Sequence, residues 1–273
     1  MKNYLNSFTT VFTLLLVYLI CLSPQPALGE DCQSEPIPGG GTITFSSDRD
    51  GDWEIYAMEG SECNIVKLTD NTFKDNLPAI SPDGTKIAFV SNRDGWNSEI
   101  FVMDIDGSNV IQLTNTKDPY HSGHPWHSSP EWSPDGTKIA YTEGPAARNA
   151  QVRIMNSDGT GQRLLANSPS DCGIPDWINN YQVAFESREC SGCSNNYRID
   201  VMNIDETGRH TLVDTNYREL APRFSLDGSQ FVFTSDRDEN PQRKNDEVYI
   251  RHYHDLKCRR EIVPRSEVQA EVV

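Results

Sequence analysis

The stretch Ser81–Thr114, SPDGTKIAFVSNRDGWNSEIFVMDIDGSNVIQLT, is the unit that the rest of the chain repeats. Three runs rich in β-branched and aromatic residues lie within it, KIAFV from Lys86, EIFVM from Glu99 and VIQLT from Val110, each bounded by Asp, Asn or Gly. These runs predict three strands. Asp83-Gly84 and Asp106-Gly107 supply the left-handed backbone that tight hairpins demand, and Arg93-Asp94-Gly95 serves a longer connection. A short fourth strand, Leu77–Ile80, is expected before the unit. Its Pro78 cannot donate to a ladder, which suits an edge facing a central channel.

Aligned on the aromatic residue of the second strand, the unit recurs at Phe45, Phe89, Tyr141, Phe185 and Phe233, with spacings of 44, 52, 44 and 48 residues. Periods of this size belong to propeller blades or solenoid turns. The third strand returns in step from Glu54, Glu99, Val152, Ile199 and Glu247, and no helical period competes beyond the first 29 residues. The expected fold is all-β, a propeller of four-stranded antiparallel blades. Five blades are visible, or six if residues 30–41 and 264–273 together build an incomplete one. The first copy has PIPGGG (Pro36–Gly41) where a first strand should stand. Glu267–Val273 alternates polar and apolar residues and is expected to close the ring there, since a bare sheet edge is a liability.

Residues 1–29 read as a signal peptide, with Lys2, an apolar run from Val11 to Leu22, and small residues ahead of Glu30. The run is too short for a bilayer core, which takes about 20 residues. Residues 30–41 form a short lead and 42–273 the propeller, so the protein is expected to be exported, to the periplasm or the medium, and to have no membrane span after cleavage. Losing residues 1–29 removes Lys2 and no acid, leaving 40 acidic against 23 basic residues. Such a field repels nucleic acid and anionic lipid. Six cysteines remain, Cys32, Cys63, Cys172, Cys190, Cys193 and Cys258, an even count that suggests disulfides without fixing their pairing.

The phrases SPDGTKIAFVSNRDG, EIFVMDIDGSN and QLT resemble the repeat of the TolB-like propellers (WD40-like, or PD40, repeats), from residue 42 to 263. The resemblance implies a non-catalytic, monomeric binding module for protein, envelope or glycan partners. Family members with an extra α/β domain or an α/β-hydrolase domain differ from this chain, which has no G-x-S-x-G nucleophile elbow. Some propellers of this kind are metal-assisted polysaccharide or oligouronate lyases that use histidines. That makes His121, His124 and His127 the enzymatic alternative, with a divalent metal as the implied cofactor and none expected otherwise.

In a propeller, connections between second and third strands share one face with the crossovers between blades. The longest crossover, Asn115–Ser128, holds Tyr120, His121, His124, Trp126 and His127. Three imidazoles in one loop can ligate Zn²⁺, Mn²⁺ or Cu²⁺, and exposed aromatics favour partners. Cys172, Cys190 and Cys193 fall on this face and Cys63, Cys258 and Cys32 on the other, so bridges are expected within these sets. Asp48–Glu54 has alternating carboxylates, yet its glycine is misplaced for a calcium loop. Arg49, Arg93 and Arg237 are expected to pair with neighbouring carboxylates. Glu131, Asp176 and Arg223 occupy one position on successive first strands and form a second candidate site at the channel mouth.

Overall fold

The computed structural model describes residues 41–59, 64–95, 97–116, 125–145, 150–166, 171–188, 197–215, 217–225, 227–237 and 247–253. They form five antiparallel sheets and no helix. Blade one comprises β1 (Thr42–Ser47), β2 (Glu54–Glu59) and β3 (Ile65–Lys67). Blade two has β4 (Asp75–Ile80), β5 (Lys86–Ser91), β6 (Glu99–Asp104) and β7 (Ile111–Gln112). Blade three has β8 (Pro125–Trp132), β9 (Lys138–Pro145), β10 (Gln151–Asn156) and β11 (Arg163–Ala166). Blade four has β12 (Asp171–Asn179), β13 (Gln182–Arg188), β14 (Arg198–Asn203) and β15 (His210–Val213). Blade five has β16 (Glu219–Phe224), β17 (Gln230–Ser235) and β18 (Glu247–His252). Each sheet is a simple meander, and successive blades pack through their innermost strands, β1 on β4, β4 on β8, β8 on β12 and β12 on β16. This is the propeller that the repeat predicts. Glu267–Val273, expected to close it, lies outside the described residues.

Alternation along the strands sends one set of apolar residues to each neighbour. In blade three, Trp132, Ile139, Tyr141 and Met155 pack with Ala88, Ile100 and Val102 of blade two. The opposite face, with Ala140, Val152 and Ile154, packs with Trp177, Val183 and Phe185 of blade four. Indole N–H groups stitch these layers, Trp132 Nε1 donating to the Ala79 carbonyl at 3.1 Å and Trp177 Nε1 to that of Glu131 at 3.0 Å. Blade five has Phe224 at this place, and its backbone N–H donates instead to Asp176 Oδ2 at 2.6 Å. The Asp-Gly turns set the blade spacing. At Gly107 (φ 86°) a Cβ would stand 2.5 Å from the Leu68 carbonyl oxygen of blade one, so a side chain there would clash.

Two features correct the sequence reading. First, the inner strands are longer than Leu77–Ile80 suggested, running six to nine residues, so Trp126 and His127 belong to β8 and not to a loop. Secondly, each inner strand carries a β-bulge at its X-Pro step. The pairing shifts between Asn76 and Ala79, Ser128 and Glu131, Gly173 and Asp176, and Leu220 and Arg223. The residue before each proline, Leu77, Ser129, Ile174 or Ala221, has a positive φ of 51, 49, 44 or 50°. Left-handed backbone costs a non-glycine residue about 1–2 kcal/mol, and four copies of that strain mark a bend that ring geometry imposes.

Leu77 is 46% exposed, so its side chain contributes little packing to offset that strain. Leu77→Gly is therefore expected to leave stability unchanged or raise it by up to about 1 kcal/mol in urea unfolding, the reverse of the loss expected in a regular strand.

Candidate functional site

The head of each inner strand is tied to the connection between the second and third strands of the preceding blade. Asp75 N–H donates to the Trp53 carbonyl at 2.7 Å, His127 to Ser98 at 2.9 Å, Cys172 to Ala150 at 2.8 Å and Glu219 to Tyr197 at 2.9 Å. Crossovers and these connections therefore share one face. All four side chains are buried; blades two and five answer theirs in the same way, blades three and four otherwise. Asp75 accepts from Arg93 NH2 at 2.7 Å and Glu219 from Arg237 NH2 at 2.8 Å.

His127 is 2% exposed and lies between two carboxylates, Nδ1 3.0 Å from Glu99 Oε2 and Nε2 3.1 Å from Glu143 Oε2. Burial disfavours the imidazolium, but the two carboxylates outweigh it and raise the His127 pKa to about 9. Burial pushes the Glu99 carboxyl up, yet His127, Thr114 and Thr116 together hold it down at about 2. Glu99 also accepts the backbone N–H of Thr116 at 2.8 Å, so the same carboxylate catches the start of the long crossover. Glu54 does this in blade one, accepting Asn71 N–H at 2.6 Å.

A second cluster sits where the inner strands converge. Arg223 of blade five reaches across blade four to Glu131 of blade three, NH2 to Oε1 at 3.1 Å, and both side chains keep 23% of their surface accessible. Both stay partly accessible although protein surrounds them. That enclosure pushes the carboxyls of Glu131 and Asp176 up towards neutrality, with Arg223 pulling both back. Glu186 of β13 belongs with them. Burial lifts its pKa to about 7 against the pull of the Ala221 N–H, which Glu186 Oε1 accepts at 2.6 Å, and of Arg223 and Arg218. The Arg223 guanidinium thus touches Glu131 directly and acts on Asp176 and Glu186 through its charge. The equivalent residue of blade two is Ala79, so the site is one-sided.

The sequence profile of the TolB β-propeller domain matches residues 34–127 and 99–261. The chain belongs to the TolB β-propeller family. A TolB homologue of Chlorobium luteolum is 32% identical over 164 residues, covering 58% of this chain and 33% of that protein. The Tol-Pal system protein TolB of Bordetella pertussis is 29% identical over 200 residues, 70% of this chain and 42% of that protein. This chain therefore spans about a third of the length of the first curated relatives, and less than half of the Bordetella protein. Among solved structures, TolB from Acinetobacter baumannii superposes with a TM-score of 0.62 at 21% identity, over 79% of this chain and 50% of that one. An oligogalacturonate lyase in complex with manganese gives 0.60 at 15% identity, over 80% and 61%. Those two likenesses show the fold alone.

Within this TolB-type ring, Glu131, Asp176 and Arg223 are brought together as one site. Trp126 is half-buried in β8, its ring 3.4 Å from where a Cβ on Gly144 would stand. His127 lies between Glu99 and Glu143, with Nε2 hydrogen-bonded to Glu143 and Nδ1 in ion-pair contact with Glu99, whereas Tyr120, His121 and His124 lie outside the described residues. Among the described residues no three His, Cys, Asp or Glu side chains are grouped to hold a metal, and no helix is long and apolar enough to cross a membrane. Cys172 is buried at the head of β12, and the other six cysteines of the chain lie outside the described residues. Glu186 escaped the sequence reading because it looks like any second-strand residue. Its signal was a carboxylate where the other blades carry Ser46, Val90, Thr142 and Thr234.

Two pH effects follow. The folded pKa of His127 lies above its ordinary 6.5, so its contribution is full below pH 6.5 and is lost as pH rises through about 9. Unfolding at pH 6.5 and 9.5 should show a loss on the order of 2–3 kcal/mol that His127→Gln abolishes. Arg223→Gln should cost about 2 kcal/mol at pH 8, where the axial carboxyls ionise, and less than half of that at pH 5.

Proposed function

We propose that this chain is an exported, monomeric, non-catalytic binding module that takes a protein partner on its crossover face and at the channel mouth. The convergence of Glu131, Asp176, Glu186 and Arg223 at the axis carries this reading. They stand at positions that differ between blades, so the shared fold does not require them, and mixed charges that remain partly accessible suit polar groups of a partner. Exposed aromatics lie on the crossover face: Trp53 in the β1–β2 connection is 37% exposed, Phe73 in the first crossover 39% and Tyr217 in the fourth 45%. Aromatic residues dominate binding energy at protein interfaces. Proteins that carry the TolB name supply the family precedent, including the Tol-Pal system protein of Bordetella pertussis. An envelope glycan is the other partner class this surface suits, and the acidic surplus disfavours nucleic acid.

The lyase alternative, using His121, His124 and His127 with a divalent metal, has weaker support, because His127 is held by Glu99 and Glu143. A photo-crosslinking residue at Trp53, Phe73 or Tyr217 in cells that make the protein should capture the same partner from all three positions. The same residue at Tyr181, 71% exposed at the β12–β13 turn, should capture none of it. Capture from Tyr181 alone, or manganese-dependent release of unsaturated uronates by the purified protein, would contradict this reading.

A further inference from the structure

The residue that follows each third strand fills the seam between its blade and the one before. Its backbone N–H donates to the hairpin between the first and second strands of its own blade, Ile105 to the Thr85 carbonyl at 2.9 Å, Ser157 to Thr137 at 2.9 Å, Ile204 to Tyr181 at 2.8 Å and Tyr253 to Ser229 at 2.8 Å. Those bonds define four equivalent places, and three of them hold large side chains. Ile105 packs against the core shared by blades one and two, Ile204 against that of blades three and four, and Tyr253 against that of blades four and five, its ring edge-on to Phe224 at 5.7 Å. Blade three has Ser157 instead. The seam between blades two and three opens accordingly into a cleft of about 660 Å³, with Ile111, Leu113 and Trp132 in its lining. The next seam is also covered from the other side. Arg163, which precedes Leu165 by two residues as Ile111 precedes Leu113, crosses to the Ile204 carbonyl and to Glu206 Oε1 at 2.8 Å. Ile111 makes no such crossing and stays 60% exposed.

Three exposed carboxylates, Asp83, Asp135 and Asp158, rim this cleft above the buried Trp132. Each accepts its turn hydroxyls through Oδ1, and among the described residues nothing donates to the Oδ2 of any of them. Ser81 holds the Asp83 carboxyl below the usual range and Thr160 does so for Asp158; burial pushes Asp135 up, and Ser133 and Thr137 outweigh it. Lys86, the cation of the lining, is taken by Asp104 at 2.8 Å. The cleft is therefore apolar at its floor and anionic at its rim. Its two ends are closed. A Cβ on Gly136 would stand 3.8 Å from Pro82 Cδ where the inner hairpins meet, and at the outer end Gln162 Nε2 of blade three donates to the Leu113 carbonyl of blade two at 2.9 Å. A peptide cannot run through such a space, whereas a compact molecule fits, since sites for small organic ligands span roughly 300–1,000 Å³. We propose that the cleft between blades two and three binds a small organic cation, its apolar body over Ile111, Leu113 and Trp132 and its ammonium or guanidinium group among Asp83, Asp135 and Asp158. The site lies on the face opposite the crossovers and does not depend on the partner proposed above.

Titration of the isotope-labelled protein with 4-phenylbutylamine, followed by NMR, tests the site, with 4-phenylbutanol as the neutral counterpart. The amine should shift the signals of Ile111, the Trp132 indole and Ser157 saturably, and the alcohol should bind at least about tenfold more weakly. Two variants then locate the binding. Ser157→Ile gives blade three the residue that blades two and four carry, so it should fold with an unchanged or higher melting temperature and bind the amine at least about tenfold more weakly. Ile111→Arg alters an exposed position and sets a guanidinium where Arg163 stands in the next blade; it should weaken the amine as much, and it decides alone if Ser157→Ile does not fold. Equal affinity for amine and alcohol, undiminished binding in a folded variant, or no saturable shift at these three residues would overturn the proposal.

Discussion

A buried ionisable residue heads three of the four described inner strands, and the rim of the ring depends on how each one is answered. Removing Asp75, Glu219 or His127 from water is costly unless a partner of opposite charge meets it. The partners come from different places. Arg93 and Arg237 return from the second strand of the same blade, pinned by a serine and two aromatic rings. For His127 the partners are Glu143 of its own blade and Glu99 of the blade before. Blade four avoids the problem with Cys172, a neutral side chain buried to 1%. The carboxylates also hold crossover residues, Asp75 accepting from Asn71, Glu99 from Thr116 and Glu219 from Thr215.

Much of the ring was legible because its physics is local and repeated. The β-branched runs and the Asp-Gly turns follow from alternation and left-handed turn chemistry, which recur with every copy. The Trp132 and Trp177 indoles pack between blades, as the aromatic residues at the ends of the inner strands implied. Sequence also placed Glu131, Asp176 and Arg223 at one position of successive inner strands, and the fold brings them together. The bulges were not legible. Nothing local favours left-handed backbone at Leu77 or Ile174, and only the need to bend a strand around an axis imposes it. The role of His127 was equally hidden, since residue type alone suggests a metal ligand. Its engagement depends on Glu99, which lies in another blade and is brought near only by interblade packing.

The copies agree at their hairpins and stop agreeing at the channel position. The Ser-Pro-Asp-Gly hairpins, Ser-Leu-Asp-Gly in blade five, recur as structural fasteners, with Asp83, Asp135 and Asp227 each accepting from two flanking hydroxyls. The channel position instead reads Ala79, Glu131, Asp176 and Arg223 along the ring. There one guanidinium stands among three carboxyls, touching Glu131 and acting on Asp176 and Glu186 through its charge.

Carboxyl-carbon NMR titration of the folded, Glu- and Asp-labelled protein addresses this account most directly. Midpoints for Glu131, Asp176 and Glu186 well above the usual carboxylate range, falling when a partner's cationic group occupies the site, are the predicted result. Ordinary midpoints near 4 for all three would show that these side chains are independently solvated and that no shared axial site exists.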